Sequence, residues 1–80
     1  MDNSNFNKTA VSLLGQKIRE ERKAQALTQT ELSLLAGVSL NFLSQLEDGK
    51  ETVRIDKILQ VIKTLGLEFQ IKYGKKGISV

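Results

Sequence analysis

Apolar residues recur at helical spacing along most of the chain and change to strict alternation near its end. Leu14 and Ile18 lie four residues apart, and the next position on that stripe is Arg22, a charge where an apolar residue is expected. A helix is predicted from Thr9 or Ser12 to about Gln25, with Lys17, Arg19, Glu20, Glu21 and Lys23 as a solvated face. The stretch from Leu27 to Gly49, LTQTELSLLAGVSLNFLSQLEDG, reads as two short helices joined by a tight turn. Thr28 and Glu31 have capping-box spacing, Leu32, Leu35 and Ala36 supply one apolar face, and Gly37 stops the helix by taking the left-handed conformation. Ser39 caps the second helix, Leu43 and Leu46 point inward, and Gly49 ends it.

Leu43 leads by four residues to Glu47, a second charge on a core-facing stripe. One such residue would snorkel to solvent. Two of opposite sign on adjacent helices predict a partly buried ion pair, Arg22 with Glu47, because either charge buried alone is costly. After a connecting loop, a helix is predicted from Ile55 to Leu65, with Ile55, Ile58, Leu59, Ile62 and Leu65 on one broad face and Gly66 closing it. Arg54 stands where a capping Ser or Thr is usual, so the start is poorly capped. Leu67, Phe69, Ile71 and Tyr73 then alternate with Glu68, Gln70 and Lys72, a strand signature. A lone strand needs a partner. The options are a hairpin through Gly74-Lys-Lys-Gly77 to Ile78–Val80, or the same strand of a two-fold mate; the second is preferred, and both can coexist.

Eighty residues make one small domain, divided here into an N-terminal arm (1–10), a helical domain (11–66) and a C-terminal strand and tail (67–80) that dimerises. The Asn-rich start, with Phe6 and Lys8, is read as a frayed, flexible arm; the alternative is an arm that touches DNA. The chain has no cysteine and no histidine, which removes disulfides, thiolate metal sites and the commonest general base. No metal or cofactor is expected, and no nucleophile sits beside an evident base, so an enzyme is not expected either. No apolar run reaches the ~18 residues of a membrane span, and the start lacks a signal pattern, so a cytoplasmic protein is expected. A net charge of +3 and a pI near 9.4 lean only weakly toward a polyanionic partner.

The stronger functional signal is a face. The second helix of the motif presents Leu40, Asn41, Ser44 and Gln45 on the side that Leu43 and Leu46 do not use. A helix with short polar side chains near its start, propped by a capped helix before it, fits the major groove of DNA, and Asn41 and Gln45 can pair with adenine edges. Lys50 and Arg54 are either phosphate contacts or a solvated basic loop.

The segment LTQTELSLLAGVSLNFLSQLEDGKETVRIDKILQVIKTLGL resembles the Xre-type, lambda-repressor-like helix-turn-helix family. Within that family GVSLNFLSQLEDGKETVRIDKIL is most similar to the HipB-like antitoxins. The resemblance covers about Leu13 to Leu67 and rests on Gln29 opening the first helix, Gly37 at the turn and Leu-Glu-x-Gly ending the second. Ser33, where the family usually has Ala, and Arg54, in place of the usual cap, depart from it. The resemblance implies a mainly α fold, a bundle of four helices plus a short C-terminal β-strand, forming a homodimer that represses transcription from a palindromic operator. Its antitoxin branch further implies a HipA-like kinase toxin as partner. It places Gln29 on a phosphate and a neighbouring base, Ser39, Leu40, Asn41, Ser44 and Gln45 in the groove, Lys50 and Thr52 on the backbone, and Arg22 with Glu47 in a structural ion pair. The alternatives are a stand-alone phage or restriction-modification regulator and an RNA- or ribosome-associated adaptor on the same fold.

Overall fold

The computed structural model describes residues 3–51 and 54–71 and places in them four helices: α1 (Asn3–Ala24), α2 (Gln29–Ala36), α3 (Leu40–Glu47) and α4 (Ile55–Thr64). α1 reaches back past the expected start at Thr9 or Ser12, so helical backbone occupies positions 3–10 of the expected arm. No glycine or proline precedes Gly15, and once a helix is nucleated each added residue gains one hydrogen bond. α2 starts as predicted: the Thr28 hydroxyl accepts from the Glu31 amide (3.0 Å), and the Glu31 carboxylate accepts from the Thr28 amide (2.8 Å). Ser39 caps α3 by accepting from the Phe42 amide at 2.9 Å. Arg54 makes no side-chain cap bond at the start of α4, as the sequence implied.

All four helices end in one way. One or two positions past each helix end stands a left-handed residue, and the amide following it reaches back six-to-one: Leu27 to the Arg22 carbonyl, Val38 to Ser33, Lys50 to Gln45 and Leu67 to Ile62. Gly37, Gly49 and Gly66 take the left-handed position in three cases; in the fourth it is Ala26, at φ 59°. An L-residue there costs about 1–2 kcal/mol, which packing of half-buried Leu27 against the core helps to offset.

Ile18, Leu32, Leu43, Leu46 and Val61 are fully buried and form one core with Ala36, Val38, Ile58, Ile62 and Leu65. α3 packs against α1 and α2, and α2 against α4. Two expected apolar faces are rotated. In α2 the buried arc is Leu32, Ser33 and Ala36, and Leu35 is 65% exposed. Ser33 can enter the core because it is small and its hydroxyl donates to the Thr30 carbonyl at 2.8 Å. In α4 the arc runs through Ile58, Val61, Ile62 and Leu65, leaving Ile55 (53%) and Leu59 (40%) exposed at its edge. The stripe is wider than the neighbouring helices cover.

Gly15, in the middle of α1, is buried against the end of α3. A Cβ at that position would collide with the Leu46 carbonyl oxygen and lie 3.0 Å from that of Glu47. One turn earlier on α1, a Cβ on Gly49 would stand 2.9 Å from the Ser12 hydroxyl. α1 and α3 therefore meet main chain to main chain. Past Gly66, residues 67–71 leave along α1 and α4, and no strand occurs among the described residues. Leu67, Phe69 and Ile71 are exposed there, and Tyr73 lies outside the described residues.

Candidate nucleic-acid interface

α3 divides cleanly between inside and outside. Leu43, Leu46 and Glu47 are buried, Leu40, Asn41 and Gln45 are exposed, and Ser44 is half-buried. The outward residues fall in two adjacent rows, Leu40–Ser44 and Asn41–Gln45, each one helical turn long. Ser39 is exposed just ahead of them, its oxygen already accepting the cap bond, so toward a ligand it keeps its hydroxyl proton and one lone pair.

What fixes this face is the predicted ion pair. Arg22 grips Glu47 with two parallel bonds, Nε to Oε2 at 2.7 Å and Nη2 to Oε1 at 3.0 Å, and both side chains are nearly inaccessible to solvent. Arg22 Nη1 also donates to the Leu27 carbonyl at 2.7 Å, and Gln29 Nε2 donates to Glu47 Oε1 at 3.1 Å. The end of α1, the start of α2 and the end of α3 thus converge on one carboxylate. Among the described residues no buried side-chain nitrogen or oxygen lacks a partner. A buried, bidentate pair with its remaining donors satisfied is the geometry in which desolvation is best offset.

Gln29 is therefore not simply a phosphate contact. Its amide nitrogen is tied to the ion pair, leaving its carbonyl oxygen and second amide proton available. Lys50 is exposed, and its backbone amide closes α3 on the Gln45 carbonyl at 3.0 Å. Arg54 reaches Asp56 instead, Nε to Oδ1 at 3.2 Å and Nη2 to Oδ2 at 3.1 Å. That bond, and then the carboxylate's charge, raise the Arg54 pKa; the same bond, and the guanidinium's charge, lower that of Asp56. Thr52 lies outside the described residues. The Glu31 carboxyl is held below its usual range, first by the Thr28 amide and then by the Thr28 side chain.

Three positioning residues had no sequence signal strong enough to find them. Gly15 reads as a helix weakness until its neighbour is known. Gln25 donates to the Leu65 carbonyl at 2.8 Å and so ties the end of α1 to the end of α4, forty residues away. Lys57 places its ammonium 5.9 Å from the centre of the Phe42 ring, joining α4 to the outer side of α3. Among the described residues no group of His, Cys, Asp or Glu could hold a metal, and no helix is long and apolar enough to cross a membrane.

A helix-turn-helix family model matches residues 18–72, from the buried Ile18 of α1 to just beyond the exposed segment after α4. The chain is 48% identical over 58 residues to an uncharacterised HTH-type transcriptional regulator, y4mF, of Sinorhizobium fredii, covering 72% of this chain and 76% of the relative. Among solved structures it resembles the restriction-modification controller protein C.AhdI of Aeromonas hydrophila. The TM-score is 0.69 at 30% identity, over 76% of this chain and 88% of that one.

Proposed function

Because this chain belongs to the Xre-type, lambda-repressor-like helix-turn-helix family, we propose that it is a sequence-specific DNA-binding regulator that represses transcription as a homodimer on a palindromic operator. The observation that carries the reading is the division of α3: its inner side is locked by the core and the Arg22–Glu47 pair, and its outer side, free of core duty, holds Asn41, Ser44 and Gln45. A rigidly held helix with an unspent row of amide side chains is suited to base edges in the major groove. In this reading Leu40, Asn41, Ser44 and Gln45 face bases, with Ser39 at the groove edge. Gln29, Lys50, Thr52 and Arg54 meet the DNA backbone, Arg54 only by exchanging Asp56 for a phosphate.

The homodimer supplies the second reading helix, and the C-terminal segment from Leu67 to Tyr73, paired with its two-fold mate, is the proposed joint. The partner reading that follows from the resemblance of residues 37–59 is a HipA-like kinase toxin, with this chain as its autoregulating antitoxin in the cytoplasm. The likeness to C.AhdI favours a second reading, control of a restriction-modification locus. The adjacent reading frame separates them: a kinase-like toxin gene supports the first, a methyltransferase or nuclease gene the second.

DNA reading is tested by selecting a site from a random duplex pool and comparing it with unselected DNA. Asn41→Ala or Gln45→Ala should cost about 1–3 kcal/mol on the selected site and little on random duplex. Lys50→Ala should weaken both alike and reduce the salt dependence. Equal losses on both duplexes for all three variants would sink the base assignment and favour a shape-reading or RNA-binding adaptor.

A further inference from the structure

The outward face of α3 is polar except at its first residue. Leu40 is 46% exposed and takes no part in the buried core, although the core residue Leu43 lies only three positions away. An exposed leucine alone means nothing. Here it stands beside Asn41 at the tip of the helix, with Ser44 and Gln45 one turn behind the two of them.

That neighbourhood matches one base pair better than any other. In the major groove thymine presents an apolar group, its C5-methyl, while the adenine paired with it presents N7 and the N6 amine on the same edge. An amide side chain satisfies the adenine with paired hydrogen bonds, and an adjacent aliphatic side chain covers the methyl. A G·C pair in that place would set the cytosine amine against leucine and leave a donor desolvated without a partner.

From this we infer that Leu40 is a specificity-determining residue that reads a thymine methyl group, so that each operator half-site carries an A·T pair under the start of α3. The inference rests on the DNA-binding reading given above. It names the base that reading leaves open.

The test removes the methyl group and nothing else. Each thymine of the selected site is replaced in turn by deoxyuridine, symmetrically in both halves, and affinity is measured for the wild type and for Leu40→Ala. One thymine position per half-site should be sensitive in the wild type, with a loss of about fourfold per half-site, the equivalent of one methyl left in water. Leu40→Ala should bind the thymine site more weakly than the wild type and show no further loss at the deoxyuridine site. Its thermal midpoint should match the wild type, because Leu40 lies outside the core. The inference is overturned if no thymine position is sensitive, or if the sensitivity persists undiminished in Leu40→Ala. A random pool that yields no enriched sequence overturns the DNA-binding reading itself and is distinguishable from either of those results.

Discussion

Thr28 and Ser39 each accept a backbone amide at the start of their helices, and α2 and α3 bury their inner faces on each other, α3 also on α1 and α2 on α4. α4 is made differently. Its start has no side-chain cap, only an exposed Arg54–Asp56 pair, and its apolar stripe runs past the edge of the core through Ile55 and Leu59. The segment after it continues in the same vein, with Phe69 half-exposed and Ile71 at 89%. α1, α2 and α3, the head of the molecule, are cross-linked by a buried ion pair and α4 is not, while apolar surface stays open on both, at Leu34 and Leu35 of α2 as at Ile55 and Leu59 of α4. The difference that remains is in how the helices are held: a buried carboxylate joins α1, α2 and α3, and a solvent-exposed pair stands at the start of α4.

The largest expected effect lies at the centre of the head. Arg22→Ala or Glu47→Ala should destabilise the fold by roughly 3–5 kcal/mol in urea denaturation, since each leaves a buried charge without its partner. The double variant should recover part of that loss. A coupling energy indistinguishable from zero would mean the pair does not hold the head together and would erase the contrast with α4.

After α4, deleting Leu67 to Val80 should leave a folded domain that is mainly monomeric by light scattering. Specific DNA binding should be lost at about micromolar protein, because one reading helix keeps only half the phosphate contacts. If the shortened chain still dimerises and still binds, the joint lies on helix surfaces, with Ile55 and Leu59 of α4 the first residues to examine.

Gly15→Ala sharpens the comparison by its sign. In an exposed helix the change stabilises by up to about 1 kcal/mol; here it should destabilise by about 1–3 kcal/mol, because the obstacle is the main chain of α3. A neutral or raised thermal midpoint would show that α1 and α3 can slide apart at no cost.

The smallest effect is in acid. Glu31 and Asp56 both have folded-state pKa values below the usual range, so each contributes stability that is present above its ordinary value, 4.5 for Glu31 and 3.8 for Asp56, and is lost as pH falls through the depressed values. α2 keeps its Thr28 hydroxyl bond when Glu31 is protonated, whereas α4 loses the side-chain pair at its start. NMR amide shifts should therefore report fraying at Ile55–Lys57 before any at Gln29–Glu31. Simultaneous fraying would place the two starts on an equal footing.

The parts that could be read in the sequence are those in which one residue answers a local need. The Thr28–Glu31 box, the Ser39 cap, left-handed Gly37 and the opposite charges of Arg22 and Glu47 at apolar positions of two stripes each have a local signature. The misplaced residues share a different cause. A period of 3.6 defines an apolar arc but not its centre, which the neighbouring helices choose, so Leu35, Ile55 and Leu59 were assigned to a core that Ser33 and Val61 occupy instead. The bond from Gln29 to Glu47 spans eighteen residues, and no local pattern encodes it. Ala26 carries no mark of its left-handed backbone, since alanine is ordinarily the best of helix formers.

The main-chain contact at Gly15 has a consequence for retargeting. The pose of α3 is set from behind, by the carbonyls of Leu46 and Glu47 lying against α1 and by the carboxylate beneath them, and none of Leu40, Asn41, Ser44 or Gln45 takes part. Under the proposed function those four side chains behave like type set in a fixed frame: they can be exchanged together, for another sequence preference, without moving the helix that carries them.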